Sequence, residues 1–529
     1  MTHENGQHGG PNLFGTSRPP APTSWGLRSR SPFPEELLMK HITFTYLPTP
    51  QFMDIKPGHV PVGRASKIER GVNVPADLEQ ELAGRLPEGR GAPIALAHRS
   101  DIAAEGYELL VQPTGVQITA SERRGFIYGL QRLAQITREG QAPLAEIRDF
   151  PSLPMRGFQV NFYSLRHLGV KGAVDLLDAM ARWRLNTVLF EYGNRYPFAR
   201  HEAICAGDAL TREGLQTVLA HARSLGIEAI PLQQCLGHVE YVLCRDEYAH
   251  LREEDEKRDQ WCPLRPQSFD LFCELVDDLV ATHPGIRHLH IGGDEARRLG
   301  KCPECAQTAS KGGPGRLYVD FVTKAIRYVK AQGLTPILWD DMLCRHSEVL
   351  DEMPRDAVVM YWEYWTTQHP SAIFVARPAG RGVVVDRRWK TEWASELDPV
   401  ERQMIAHFAA PIDFERDFSP EFLGEFRRYL GEQFPKRVRA FPYLEYYQDM
   451  GFKVLCAPAG GSNHSTWRSL PDLPRYADNI AAFCQRAHEA RALGVVTTSW
   501  YDFPVEGVTP SIMYTGQTAW NVATAGRTG

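Results

Sequence analysis

A chain of 529 residues with 43% hydrophobic and 23% charged side chains holds enough apolar material for one large domain of about 250–350 residues and a smaller companion. Its 59 Lys and Arg against 64 Asp and Glu leave a formal charge of −5 at pH 7, so no basic field exists to attract nucleic acid or an anionic membrane surface. No stretch approaches about 18 uninterrupted apolar residues, so no spanning helix is predicted. The ten cysteines are too dilute for a disulfide framework and, without an export signal, are expected to be mostly reduced thiols of a cytoplasmic protein.

Residues 1–37, rich in Gly, Pro and Ser, read as a disordered leader. A small α+β domain is expected over 38–145. In it, "EGYELLVQPTGVQITAS" forms a hairpin turning at Pro113-Thr114-Gly115. "SERRGFIYGLQRLAQI" then carries Phe126, Leu130, Leu133 and Ile136 at helical spacing behind a Ser121 N-cap. The two prolines of "RDFPSLPMRG" mark the joint to the next domain.

From 150 to 529 one grammar repeats: a helix, a glycine stop, a short apolar strand. "LAHARSLGIEAIPLQQ", "IRYVKAQGLTPILWDD" and "AHEARALGVVTTSWYD" obey it, with Gly226, Gly333 and Gly494 at the expected C-caps. Candidate strands lie at 155–161, 186–192, 228–234, 288–293, 335–340, 357–362, 453–458 and 494–500. Eight strands alternating with helices predict an α/β fold, a (β/α)8 TIM barrel. The alternative, a doubly wound open sheet, is disfavoured because no Gly-x-Gly-x-x-Gly follows any strand. The stretch around 366–450 is too long for an ordinary connection and is expected to be an insertion beside the active face.

In such a barrel the chemistry sits where strands end. Here those ends are polar and aromatic: Asn161, Glu191-Tyr192, "QQCLGHVEY", Asp294-Glu295, Trp339-Asp340-Asp341, "YWEYW" and Trp500-Tyr501-Asp502. Large aromatics with polar neighbours at a barrel mouth suit a sugar-stacking pocket. A catalytic metal on His238, Glu240, Asp294 and Asp340 is disfavoured, since the barrel lacks the paired histidines such sites use.

"HLHIGGDE" (288–295) resembles the signature of glycoside hydrolase family 20, the β-N-acetylhexosaminidases. "GFIYGLQRLAQI", "IRDFPSLPMRG", "PLQQCLGHVEYVL", "AHLRE" and "ILWDDML" extend the resemblance, most like the hexosaminidase D branch. It implies exo-acting hydrolysis of terminal β-linked N-acetylgalactosamine or N-acetylglucosamine from a small glycoside or oligosaccharide, with galactosamine the leaning. The substrate's own 2-acetamido oxygen would be the nucleophile, with no cofactor needed. By that resemblance Glu295 is general acid and then base, and Asp294 orients the acetamide. Arg156 grips the sugar's 3- and 4-hydroxyls, and His238 supports the acids. Trp339, Trp362 and Trp500 wall the pocket, while Glu191, Glu240 and Tyr364 are hydroxyl ligands.

The sequence departs from the family at Asn161, where many members have Asp, and at "APAGGSNHS", where a tyrosine that binds the acetamide is usual. Tyr361, Tyr364 and Tyr446 are the candidate replacements. A second reading is an inactive glycan-binding barrel, against which the intact acid pair argues. Some of Cys244, Cys262, Cys302 and Cys305 are candidate ligands of a structural zinc, with free surface thiols the alternative. The oligomeric state is left open, a dimer included.

Overall fold

The computed structural model describes residues 46–78, 86–162, 168–461, 471–500 and 505–525, so the leader expected over 1–37 lies outside the described residues. Tyr46–Gly529 form one compact unit. Its first part is a six-stranded sheet in the order β1-β6-β4-β5-β3-β2: β1 (Phe52–Pro61), β2 (Ile68–Arg70), β3 (Ile94–His98), β4 (Tyr107–Gln112), β5 (Gly115–Ala120) and β6 (Gln141–Asp149). β4 and β5 are the expected hairpin, closed by Gln112 opposite Gly115. The helix Arg123–Ile136 lays Phe126, Leu130, Leu133 and Ile136 on this sheet. Its N-cap is Glu122 and not Ser121, with no side-chain cap bond; the Ser121 hydroxyl instead reaches Ala103 O at 3.5 Å.

Eight parallel strands then close a barrel: β7 (Met155–Asn161), β8 (Thr187–Glu191), β9 (Glu228–Leu232), β10 (His288–His290), β11 (Thr335–Trp339), β12 (Val358–Trp362), β16 (Lys453–Ala457) and β18 (Gly494–Ser499). The seam is the pairing of β16 with β18 at Cys456 and Val495. Leu189, Ile230, Ile337, Met360, Leu455 and Val496 fill the interior, so the barrel is a packed core and not a channel. Between β12 and β16 the chain builds a small sheet of β13 (Ile373–Ala376), β14 (Gly382–Asp386) and β15 (Ala410–Ile412). A short β17 (Ala459–Gly461) pairs beside β18.

Gly226 and Gly333 follow their helices in left-handed conformation, as the helix-stop reading requires. Gly494 does not cap: after the helix Leu473–Glu489 it is Arg491 that turns left-handed, at φ 55°. Gly494 instead opens β18 where a Cβ would lie 1.9 Å from Met155 O, and only glycine allows that approach.

No described helix is long and apolar enough to cross a membrane.

Candidate active site

The strand ends converge on a cleft of about 660 Å³ at the carboxyl face of the barrel. Asn161 and Glu191 close β7 and β8, while Gln234, His238, Glu240 and Tyr241 come from the segment after β9. Asp294 and Glu295 follow β10, Trp339 ends β11, Trp362, Tyr364 and Trp365 follow β12, and Trp500 follows β18. Asp294, Glu295, Glu191, His238, Glu240, Trp339, Trp362, Tyr364 and Trp500 therefore lie together, as expected.

The acids are delivered by a bend rather than by the extended strand end that was predicted. β10 stops at His290, and Gly292, Gly293 and Glu295 all have positive φ (63°, 88° and 48°). The left-handed backbone at Gly292 favours glycine, and a Cβ there would displace the Gln234 amide, 1.9 Å away, from the cleft wall. Glu295 has no such freedom, and its left-handed backbone costs about 1–2 kcal/mol. The bend is held by Glu295 N, which donates to Asp341 Oδ2 at 3.0 Å, and by Trp339 N, which donates to Gly292 O at 3.1 Å. The result is two neighbouring carboxylates with different surroundings. The Asp294 side chain is 13% exposed and the Glu295 side chain 34%.

His238, itself left-handed at φ 54°, bridges the pair: its Nε2 lies 3.2 Å from Asp294 Oδ2 and 3.6 Å from Glu295 Oε2. The Asp294 charge pushes the imidazole up to about 10, so it is a cation at neutral pH. Burial acts to raise the Asp294 carboxyl, but the charge and hydrogen bond of His238 outweigh it and hold it below the ordinary carboxylate range. Asp294 Oδ1 is buried with no hydrogen-bond partner among the described residues, so one acceptor of an ionised carboxylate stays open. Behind the pair, burial pushes His290 down to about 3. That neutral imidazole accepts from Gly292 N at 2.9 Å.

Glu191 receives three amide donors, Gln159 Nε2 (3.0 Å), Asn161 Nδ2 (3.1 Å) and Gln234 Nε2 (3.4 Å). Burial, and then the Asp294 charge, raise it to about 7. Burial likewise raises Glu240. Opposite the acids, Trp339 and Trp500 meet at 5.5 Å and Trp362 and Tyr364 at 5.1 Å between ring centroids. Trp500 Nε1 donates to the Tyr364 hydroxyl at 2.8 Å. Arg377, from the segment between β13 and β14, stacks on Trp362 at 4.3 Å. It also pairs with Asp340. Asp340 is fully buried and also accepts from Trp362 N and the Tyr447 hydroxyl, so it braces the wall and lines no part of the cleft.

One expectation for the cleft fails. Arg156 does not reach the cleft: it lies near the start of β7, at the opposite end of the barrel. There its guanidinium is fully buried, paired with Glu105 and donating to Arg184 O, Leu153 O and Pro154 O. Parallel strands put their first residues on one face and their last on the other, which makes Arg156 part of the joint with the six-stranded sheet. Among the described residues, no arginine lines the cleft. Of the tyrosines, Tyr364 lines it, whereas Tyr361 and Tyr446 are buried among aromatic side chains of the insertion and its neighbours. Residues 462–470, which include the last four residues of "APAGGSNHS", lie outside the described residues.

Among the cysteines, Cys262, Cys302 and Cys305 come together, but Cys244 does not. Cys244 is exposed, with its thiol turned to Tyr241 O at 3.6 Å, and Glu253 takes its expected place beside the other three. Gln234, Tyr241 and Trp365 also line the cleft; the sequence set them in the strand-end stretches "QQCLGHVEY" and "YWEYW" but gave them no individual role. Position after a barrel strand was the available signal for each.

Acids of unequal exposure in an aromatic cleft, at the carboxyl end of a closed parallel barrel, are the arrangement expected of a glycoside hydrolase. More narrowly, residues 156–386 match the glycosyl hydrolase family 20 catalytic domain and residues 45–150 match domain 2 of that family; the chain belongs to glycosyl hydrolase family 20. It is 29% identical over 191 residues to Hexosaminidase D of Bos taurus, covering 34% of this chain and 55% of that protein. Against Hexosaminidase D of Homo sapiens it is 30% identical over 215 residues, covering 38% and 44%. The matched stretch spans about half the length of these relatives. Among solved structures, the β-N-acetylhexosaminidase from Bacteroides fragilis NCTC 9343 superposes with a TM-score of 0.61 at 17% identity, over 89% of this chain and 90% of that one. Flavobacterium johnsoniae chitobiase superposes with 0.63 at 16%, over 90% and 69%. At these identities the likeness is one of fold.

Proposed function

We propose that the protein is an exo-acting β-N-acetylhexosaminidase using substrate-assisted, retaining catalysis, with a leaning to terminal N-acetylgalactosamine. The observation that carries this reading is the carboxylate pair itself, one ionised and enclosed, the other open to the cleft, with His238 between them. Asp294 accepts the acetamide N–H and balances the positive charge that grows as the carbonyl oxygen attacks the anomeric carbon. Glu295 gives its proton to the leaving oxygen as the glycosidic bond breaks, then takes one from the water that opens the oxazolinium. In this reading Trp339, Trp362 and Trp500 supply the aromatic walls, Tyr364 meets the acetamide, and Glu191 and Glu240 meet hydroxyls; their shared lining of the cleft supports it. The leaning to galactosamine rests on the hexosaminidase D resemblance. No cofactor takes part in this chemistry.

Assay with aryl N-acetyl-β-galactosaminide and N-acetyl-β-glucosaminide tests the reading. Cleavage of at least one, with strong competitive inhibition by a thiazoline analogue of the oxazolinium, is expected. Failure to cleave either would leave the glycan-binding barrel, and cleavage untouched by the thiazoline would point to an enzyme nucleophile.

A pH profile probes the same site. The raised His238 stabilises the folded pair fully below its ordinary 6.5, and that contribution is lost as the pH climbs through about 10. The depressed Asp294 stabilises above its ordinary 3.8, and its contribution is lost as the pH falls below that value. Solvent screens part of this, since His238 is 40% exposed. In His238→Gln the charge and hydrogen bond that do most to hold Asp294 down against burial are lost, so the acidic limb of kcat/KM is expected to move to higher pH. An unmoved limb would mean that Asp294 does not set it.

A further inference from the structure

Outside the cleft, the loop after β9 and the loop after β10 are joined by a buried cluster that the proposed chemistry does not use. Glu253, Cys262, Cys302 and Cys305 each offer a ligand atom, and all four atoms lie within 4.8 Å of one another. Cys262 and Cys305 are fully buried, Glu253 is 2% exposed and Cys302 8%. The Cys262 sulfur is 3.7 Å from that of Cys302 and 3.5 Å from that of Cys305. Three thiolates around one tetrahedral ion with metal–sulfur bonds of about 2.3 Å would stand about 3.8 Å apart, whereas a disulfide needs about 2.05 Å.

The carboxylate gives the second indication. Glu253 Oε1 accepts from Lys301 N at 2.8 Å and Cys302 N at 3.0 Å. Its other oxygen is buried with no hydrogen-bond partner among the described residues. A carboxylate enclosed with one open acceptor is unfavourable unless a cation meets it. The backbone is arranged for negative sulfur as well: Cys302 is the N-cap of the helix Pro303–Ala331, and Cys305 N donates to its sulfur at 3.4 Å.

From this geometry we infer that Glu253, Cys262, Cys302 and Cys305 bind one Zn2+ as a closed structural centre. Three sulfurs and one oxygen suit zinc; an iron–sulfur cluster would ask for four cysteines. Four protein ligands leave no position for a reacting water, so the ion clamps rather than catalyses. What it clamps is the cleft's acidic edge. Next to Cys262, Trp261 Nε1 donates to Cys235 O at 2.8 Å, and Gln260 pairs with Gly237, beside His238. Gln260 Oε1 also accepts from Arg298 N at 2.8 Å, three residues beyond Glu295.

The full-length protein, purified without added metal and without a metal-chelating column, should contain one zinc per chain by elemental analysis. Zinc-edge X-ray absorption should give three sulfurs at about 2.3 Å and one oxygen. A thiol reagent that titrates the three buried cysteines should release one zinc for every three of these thiols. Stripping should lower Tm, and one equivalent of Zn2+ should restore it. Cys305→Ser and Glu253→Gln should each lower retained zinc at least tenfold. Zinc below a tenth of an equivalent overturns the inference, as does a wild-type shell of nitrogen and oxygen, or two thiols missing from a non-reducing titration, which would indicate a disulfide. The spectrum of the wild type decides even if the variants fail to fold, and no readout depends on glycosidase activity.

Discussion

Glu295→Gln is expected to lower kcat/KM for an aryl N-acetyl-β-hexosaminide by about 10²–10⁴-fold, the usual worth of a positioned general acid and base. Its amide has the shape of the carboxylic acid but no proton to give. The bend that sets it is held by Glu295 N donating to the Asp341 carboxylate, a bond the substitution leaves in place, and the pairing lost with the exposed Arg297 is worth little, so Tm should stay within a degree or two of the parent. Asp294→Asn should lose about 10²–10³-fold by a different route. The neutral amide cannot balance the growing oxazolinium charge, and it leaves the His238 cation without the partner 3.2 Å away that raises it. The two effects should not multiply in the double variant, because both residues serve one transition state. Full activity in Glu295→Gln, with the fold intact by circular dichroism, would remove Glu295 from the reaction.

Arg156→Met is expected to act on stability and to leave KM for the hexosaminide unchanged. The guanidinium is wholly enclosed, paired with Glu105, and sits over the Trp520 ring at 5.2 Å. Removing one partner of a buried pair costs about 3–5 kcal/mol because the other is left enclosed. The lower end applies here, since Arg124 and Asn186 still meet Glu105. Urea unfolding beside Michaelis kinetics separates the alternatives. A several-fold rise in KM at unchanged stability would return Arg156 to the sugar. A companion network, with Arg184, Tyr107 and Trp520 meeting Asp149, should make the joint unfold with the barrel as one transition.

Periodicity made the barrel legible. Each of the eight apolar runs became a strand at or within a few residues of its expected place, because a buried parallel strand must be apolar on both faces whatever its neighbours do. Asp294, Glu295 and His238 could be read from their motif, and the barrel rule that strand ends carry chemistry brought Glu191, Trp339, Trp362 and Trp500 with them. Arg156 was misplaced although its strand was right. Position 156 in a strand expected over 155–161 already lay at the start, away from the end that carries the chemistry; the resemblance outweighed that position, and a planar fork of donors serves a buried carboxylate as well as a sugar. Cys244 failed for a related reason: sequence spacing brings loops near one another but does not choose which side chains turn inward, and Glu253, an acid in a charged run, carried no local mark of burial.

From its amino acids alone, then, the protein's strand order, its barrel and its acid pair were determined, since each follows from local patterning and one short motif. Only the tertiary structure decided that the acids stand on a left-handed bend and differ in exposure, and that Glu253 completes the cysteine cluster. It alone also placed Arg156 at the domain joint. These depend on distances between segments far apart in the chain and on which groups lose their water when those segments close, and no local pattern encodes either.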